Sequence, residues 1–210
     1  MVMRLFFLSG LVAWVASLLV KKFLSDRKLK KVGTGEVSME GRKAARELLD
    51  AAAAKKVELQ ERRRPFLPVR EEEVTLLPKQ AQSREISDVA ECLLRAGLGA
   101  LALRQPEVIG WRVWAVKFSI SLPAFTVVVM AFALVVGKVG GTLGVGLVSL
   151  SVFLSCVALW ATVAVEREAA ALVVEVLERK RLFPRLAEEE AVVAAVRAMA
   201  WRRITPGVLW

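Results

Sequence analysis

Charge is absent from three long stretches of this chain: residues 5–20 (LFFLSGLVAWVASLLV), 118–137 (FSISLPAFTVVVMAFALVVG) and 139–165 (VGGTLGVGLVSLSVFLSCVALWATVAV). A helix needs about 20 apolar residues to cross the hydrocarbon core of a bilayer, with roughly 17 as a lower limit. The second and third stretches meet that requirement. Only Lys138 separates them, so they predict a transmembrane hairpin over 118–165. The first stretch is one residue short of the limit unless Val2 and Met3 are counted and Arg4 snorkels to the headgroups. It runs into Lys21 and Lys22 with no small-x-small cleavage site, so it reads as an uncleaved anchor over 1–22.

Between the apolar stretches the periodicity changes. Leu24–Val37 is basic and glycine-containing and reads as a linker. Ser38 is placed to cap a helix from Met39 to about Ala54, with Ala45, Leu48, Leu49 and Ala52 on one face. Lys56–Gln60 and Val74–Leu77 alternate in the manner of short strands, with Val57 and Leu59, then Val74 and Leu76, on one side. They would pair as a hairpin around a solvated loop, Glu61–Glu73, that holds Arg62–Arg64, Pro65, Pro68 and Glu71–Glu73. The next helix, Ile86 to Leu103, carries apolar Ile86, Val89, Ala90, Leu93, Leu94, Gly97, Ala100 and Leu101. Asp88, Glu91 and Arg95 fall opposite, and Glu91 and Arg95 sit four apart as an ion pair. Such a stripe is the ordinary mark of a half-buried helix.

Gln105 and Pro106 end that helix. Trp111 and Trp114 sit where an interfacial aromatic belt belongs, just before the second apolar stretch, and Pro123 is placed to kink that span. Gly140, Gly141, Gly144 and Gly146 suit either close helix packing or a glycine-rich turn. The third stretch continues as a helix over Val165–Lys180 until Phe183–Pro184 breaks it. A last helix, Leu186 to about Arg203, has Glu188–Glu190 in its first turn and Arg202–Arg203 in its last, which suits the helix dipole. Thr205-Pro206-Gly207 closes the chain. The expected fold class is mainly α, an integral membrane protein with about three transmembrane helices and a small soluble domain. The parts are the anchor 1–22, a soluble domain 23–117, the hairpin 118–165, and C-terminal helices 166–210 packing on the soluble domain.

Composition agrees with a membrane protein: 56% of the 210 residues are hydrophobic. The net charge of +10 is weighted by Lys21, Lys22, Arg27, Lys28, Lys30 and Lys31, a block beside the first apolar stretch. The positive-inside rule puts residues 21–117 in the cytoplasm, or in the matrix or stroma of an organelle, with the N-terminus outside. The membrane is then a bacterial plasma membrane or an organellar one. Each basic residue of such a block gains about 1 kcal/mol near anionic lipid. No basic patch is interleaved with aromatic residues, so nucleic acid is not an expected partner. The chain has no His, which removes the commonest metal ligand and the usual general base. Its two cysteines, Cys92 and Cys156, form no CxxC unit and are not expected to pair.

In order along the chain, these pieces resemble the membrane-bound neutral zinc metallopeptidases of the YugP type. After an anchor, that family has a helix of the TGxEVARxLLD kind, matched by SMEGRKAARELLD (38–50). A VxVE-like strand is matched by Val57-Glu58-Leu59, and a TVRLS-like strand by Glu73-Val74-Thr75-Leu76-Leu77. The catalytic helix SIAAVAVAAHEVGHAIQ is matched by Ile86 to about Leu101, with Val89-Ala90 and Gly97 in register. After a membrane hairpin, VEFDASRRAxxxL is matched by Val165-Glu166-Arg167-Glu168-Ala169-Ala170-Ala171-Leu172, and an acidic helix start with an alanine-rich stretch by Glu188–Ala200. The resemblance covers nearly the whole chain. It implies a zincin-like soluble domain.

The chain departs from that family where the chemistry would lie. HExxH places two metal-binding histidines one helical turn apart, with a glutamate base beside the first. The matching positions are Leu94, Arg95 and Leu98. A leucine cannot bind zinc, and a protonated guanidinium can neither bind metal nor accept a proton. Glu166 falls where the family carries the acidic residue that completes the metal site, and one carboxylate does not hold a catalytic zinc. The family's DHYDP-like loop is replaced by Pro65-Phe66-Leu67-Pro68-Val69, and the chain stops at Trp210 before a further apolar segment. These departures predict neither metal nor other cofactor. Glu166 is expected either to pair with Arg95 where the metal was, or to be an ordinary interfacial residue. The expected function is that of a pseudo-peptidase, a structural, assembly or scaffold subunit among other membrane protein subunits. Two alternatives remain. One is an adaptor that binds anionic lipid headgroups through Lys21–Lys31; the other is a hydrolase without metal, using Ser87, Ser119, Ser121, Ser149, Ser151 or Ser155.

Overall fold

The computed structural model describes residues 2–32, 35–63, 69–70, 73–137 and 139–202. Arg64–Pro68, Glu71, Glu72, Lys138 and everything from Arg203 on, including Thr205-Pro206-Gly207, lie outside the described residues. The chain is mainly helical. In order it forms α1 (Val2–Val20), a π-helical segment (Lys21–Asp26), α2 (Arg27–Val32), α3 (Gly41–Ala51), β1 (Glu58–Glu61), β2 (Val69–Arg70), β3 (Glu73–Leu76), α4 (Pro78–Gln82), α5 (Ile86–Arg104), α6 (Pro106–Val135), α7 (Gly141–Lys180) and α8 (Leu186–Met199). Three helical stretches are long and apolar enough to cross a membrane: Leu8–Val32, Pro106–Val135 and Gly141–Lys180.

Two compact units emerge. One gathers the chain up to Lys22 with Trp114–Val163; the other gathers Phe23–Val113 with Ala164–Arg202. In the first unit, α1 lies against α7. A Cβ on Gly10 would stand 2.3 Å from the carbonyl oxygen of Ser149, so glycine alone permits this backbone approach. Seven residues on, the Ser17 hydroxyl donates to Ala13 O (2.9 Å) and accepts from Trp160 Nε1 (2.9 Å). Both contacts advance in the same direction along the two helices, so α1 and α7 run parallel. The glycines at the turn divide by role. Gly140 and Gly141 have open space where a Cβ would be, whereas Gly144 is buried against Leu134. Pro123 sits inside α6, and the helix continues across it.

In the second unit α5 is the centre. Every residue from Val89 to Ala102 is buried, as expected of a buried helix, and the burial extends to Glu91 and Arg95 of its polar stripe. It packs against α3, α4, α8 and the sheet. Two glycines cost the helix about 1 kcal/mol each in propensity, and both are needed for close approach. A Cβ on Gly97 would lie 2.5 Å from Val173 Cγ2 of α7, and one on Gly99 would lie 2.4 Å from Val74 Cγ2 of β3. Residues two apart point about 200° apart on a helix, so α5 presents opposite faces to α7 and to the sheet.

Three expectations for this unit need correcting. The two strands do not form a hairpin: β1 pairs with β3 in parallel (Leu59 with Val74), and the two-residue β2 pairs antiparallel on the other edge of β3. Local alternation indicates strands but carries no information on their direction. Ser38 does not cap α3. Its N–H and hydroxyl donate to Glu188 Oε2 (3.2 and 2.8 Å), and α3 begins three residues later at Gly41, behind Glu40. The first residue of α3, Gly41, leaves room that no other residue would, since a Cβ there would meet Gln80 O at 2.5 Å and Cys92 Sγ at 2.9 Å. Finally, Leu24–Val32 is no linker but helix. Ser25 is buried, and Leu29 and Val32 pack on the core, while Lys31 stays exposed.

Candidate functional site

The residues that the sequence resemblance aligns with zinc ligands lie deep inside the second unit. Leu94 and Leu98, one turn apart on α5, are 1% and 0% exposed and belong to the hydrophobic core. Arg95 is buried beside them. Its Nε donates to Glu91 Oε1 (3.0 Å) and its Nη1 to the carbonyl oxygen of Thr75 in β3 (2.9 Å). A buried guanidinium is tolerated because a carboxylate neutralises it and a strand carbonyl satisfies a further N–H. Glu91, Arg95 and Gly99 recur every four residues and share the face turned to the sheet.

Glu166 is buried as well, at 2% exposure, but its partner is not Arg95. Oε1 of Glu166 accepts from Arg112 Nε (2.8 Å) and from Arg112 Nη2. The reason is geometric. Glu166 lies one turn before Ala169, whose carbonyl faces Gly97, whereas Arg95 points to the opposite side of α5. Arg112 is the bulkiest fully buried side chain among the described residues. It was missed in the sequence because it sits between Trp111 and Trp114, where an interfacial basic residue is unremarkable. A signal was present: residues 112 and 166 are equally far from position 139, so an antiparallel hairpin places them opposite each other. Gln105 Nε2 also reaches across to Glu168 Oε1 (2.9 Å), next to that pair.

These residues do not fit a zinc ion. The two positions one turn apart are hydrocarbon, and the one carboxylate is already neutralised by a guanidinium. Among the described residues no group of three or more His, Cys, Asp or Glu could hold a metal. Cys92, on the same helix, has its thiol pushed up to about 12, mainly by burial and against the favourable charge of Arg95. It is therefore no thiolate at neutral pH. Four of the six candidate serine hydroxyls are occupied. Those of Ser119, Ser121, Ser151 and Ser155 donate to Val116 O, Lys117 O, Val148 O and Ser151 O in their own helices.

The basic block lies on the π segment and α2. Lys22, Arg27, Lys28, Lys30 and Lys31 are exposed, Lys21 is half-buried, and Arg27 lies 5.0 Å over the ring of Phe23. No protein-family model matches the chain, and neither a curated protein nor a solved structure is similar to it.

Proposed function

We propose that this chain is a pseudo-peptidase of the membrane, acting by contact as a structural, assembly or scaffold subunit of a larger membrane complex. One observation carries the reading. The acidic residue that would complete a zinc site, Glu166, is held by the buried guanidinium of Arg112, and Leu94 and Leu98 are sealed in the core. A hydrolytic zinc site needs three protein ligands and an open position for water. This arrangement supplies neither. A domain without that chemistry can still offer surfaces, and three apolar helices would hold it at a bilayer. Under the positive-inside rule the Lys21–Lys31 block and the second unit face the cytoplasm, matrix or stroma.

The test is purification of the tagged full chain in mild detergent, with identification of co-purifying chains and a metal assay on the same sample. Other membrane subunits in fixed proportion are expected. Recovery of this chain with no other protein overturns the subunit reading, and stoichiometric zinc overturns the inactive one.

A second reading has one observation behind it: five of six basic side chains are exposed on a helical stretch that follows directly from α1. That suits contact with anionic headgroups. Full chain reconstituted in vesicles with and without phosphatidylserine would then protect Lys22–Lys31 from amine labelling only in the anionic vesicles. Equal labelling removes this reading.

A further inference from the structure

α6 carries five aromatic rings: Trp111, Trp114, Phe118, Phe125 and Phe132. All of them fall on one seam of three-and-four spacing. Four stand seven residues apart, and Trp114 occupies the alternate position with Ser121, Val128 and Val135. Trp114, Phe125, Val128, Phe132 and Val135 lie on the far side of the helix from buried Ala115, Ser119 and Pro123, and Phe118, one turn from Ala115, is half-buried. Trp114 is 49% exposed, Phe125 69%, Val128 68%, Phe132 72% and Val135 87%. Trp114 stacks on Phe118 with ring centroids 5.0 Å apart, so the rings form a ridge. Beside the ridge runs a shallow line of exposed small side chains, Ala124 and Ala131. Ser121, within the seam, satisfies its hydroxyl on Lys117 O and presents no unpaired donor.

From this geometry we propose that the exposed face of α6 is a dimerisation surface, and that its occupant is a second copy of this chain. A helix that merely faces lipid has no reason to confine every ring to one seven-residue repeat. That repeat is the pattern of helices that supercoil about each other. Two copies inserted alike in a membrane meet in parallel about an axis along the membrane normal. The ridge of each then lies against the small-residue line of the other, so one face supplies both shapes. The area reaches what a specific pair needs only if most of the ridge is covered. With about 150–250 Å² per aromatic side chain, the exposed fractions of Trp111, Trp114, Phe125 and Phe132 (47%, 49%, 69% and 72%) give roughly 350–600 Å² per copy, or about 700–1,200 Å² for the pair. Specific interfaces begin near about 1,000 Å². In a bilayer the gain is close packing and not release of water. The proposal is independent of the pseudo-peptidase reading.

The test is oxidative cross-linking of the full chain in lipid bilayers, with single cysteines introduced along α6. Native Cys92 and Cys156 are buried and remain in place. Phe125→Cys, Val128→Cys and Phe132→Cys are expected to form disulfide-linked dimers. Val127→Cys and Leu134→Cys, which are exposed but off the seam, are expected to give at least fivefold less. In the unmodified chain, Ala131→Trp fills the small-residue line and should lower the dimer fraction at least fivefold at fixed lipid ratio. Equal cross-linking at all five positions, or a monomer at every lipid ratio, overturns the proposal. So does cross-linking of the seam positions to a different protein in native membranes. Self-dimers without other chains would support this inference while sinking the subunit reading.

Discussion

At the scale of single residues, the Arg112–Glu166 pair dominates. Both side chains are almost wholly buried, at 1% and 3% exposure. Removing one partner of a buried pair leaves a charge with no solvent and costs about 3–5 kcal/mol, whereas replacing both with apolar groups of similar size is often neutral. We expect Arg112→Met or Glu166→Leu alone to lower the thermal midpoint in detergent sharply, and the double variant Arg112→Met/Glu166→Leu to recover most of the loss. A double variant as unstable as the sum of the singles would show that packing, and not charge compensation, decides this site. The residue scale is also where sequence reading went astray. Arg95 is one turn from Glu91, and that pair was legible from spacing alone. Its burial was not, because burial depends on β3 and α3, which close over the helix from elsewhere in the chain.

At the scale of elements, α1 is the informative case. By length it is marginal as a span, yet it lies along α7 with a glycine at one contact and a Trp–Ser hydrogen bond at the other. We expect Gly10→Leu to cost about 1–3 kcal/mol, since the added side chain meets the Ser149 backbone, which cannot yield. Trp160→Phe should cost less, about 0.6–2 kcal/mol, as interhelical hydrogen bonds within membranes usually do. Unfolding of both variants in detergent checks the order, and a milder effect of Gly10→Leu would mean that the helices do not approach so closely. Helix breaks were readable at this scale. Gln105–Pro106 separates α5 from α6, and the chain leaves α7 at Lys180, shortly before Pro184. Strand direction was not readable, since parallel pairing of β1 with β3 depends on how the chain returns between them.

At the scale of the whole molecule, segments far apart in sequence are tied by polar contacts. Ser38 and Glu188 are 150 positions apart, and two hydrogen bonds from Ser38 hold the Glu188 carboxyl below the usual carboxylate range. The sign follows. A group whose folded pKa is lowered stabilises the fold above its ordinary value, about 4.3 for Glu, and that contribution disappears as pH falls through the lowered one. Ser38→Ala should therefore reduce stability at neutral pH and make little difference once the carboxyl is protonated. Melting both proteins across that range checks this, and a gap independent of pH would remove Glu188 from the account.

What the sequence determined by itself was whatever depends on neighbours along the chain. Three apolar runs, helical periodicity, two short alternating strands and the proline breaks all follow from local composition, because a bilayer and a helix each read consecutive residues. What only the tertiary structure decided was which distant groups meet. Arg112 rather than Arg95 neutralises Glu166, because opposite faces of α5 look toward α7 and the sheet. A charge buried without water must find a counter-charge wherever the packing of helices brings one, and no single stretch of sequence contains that information.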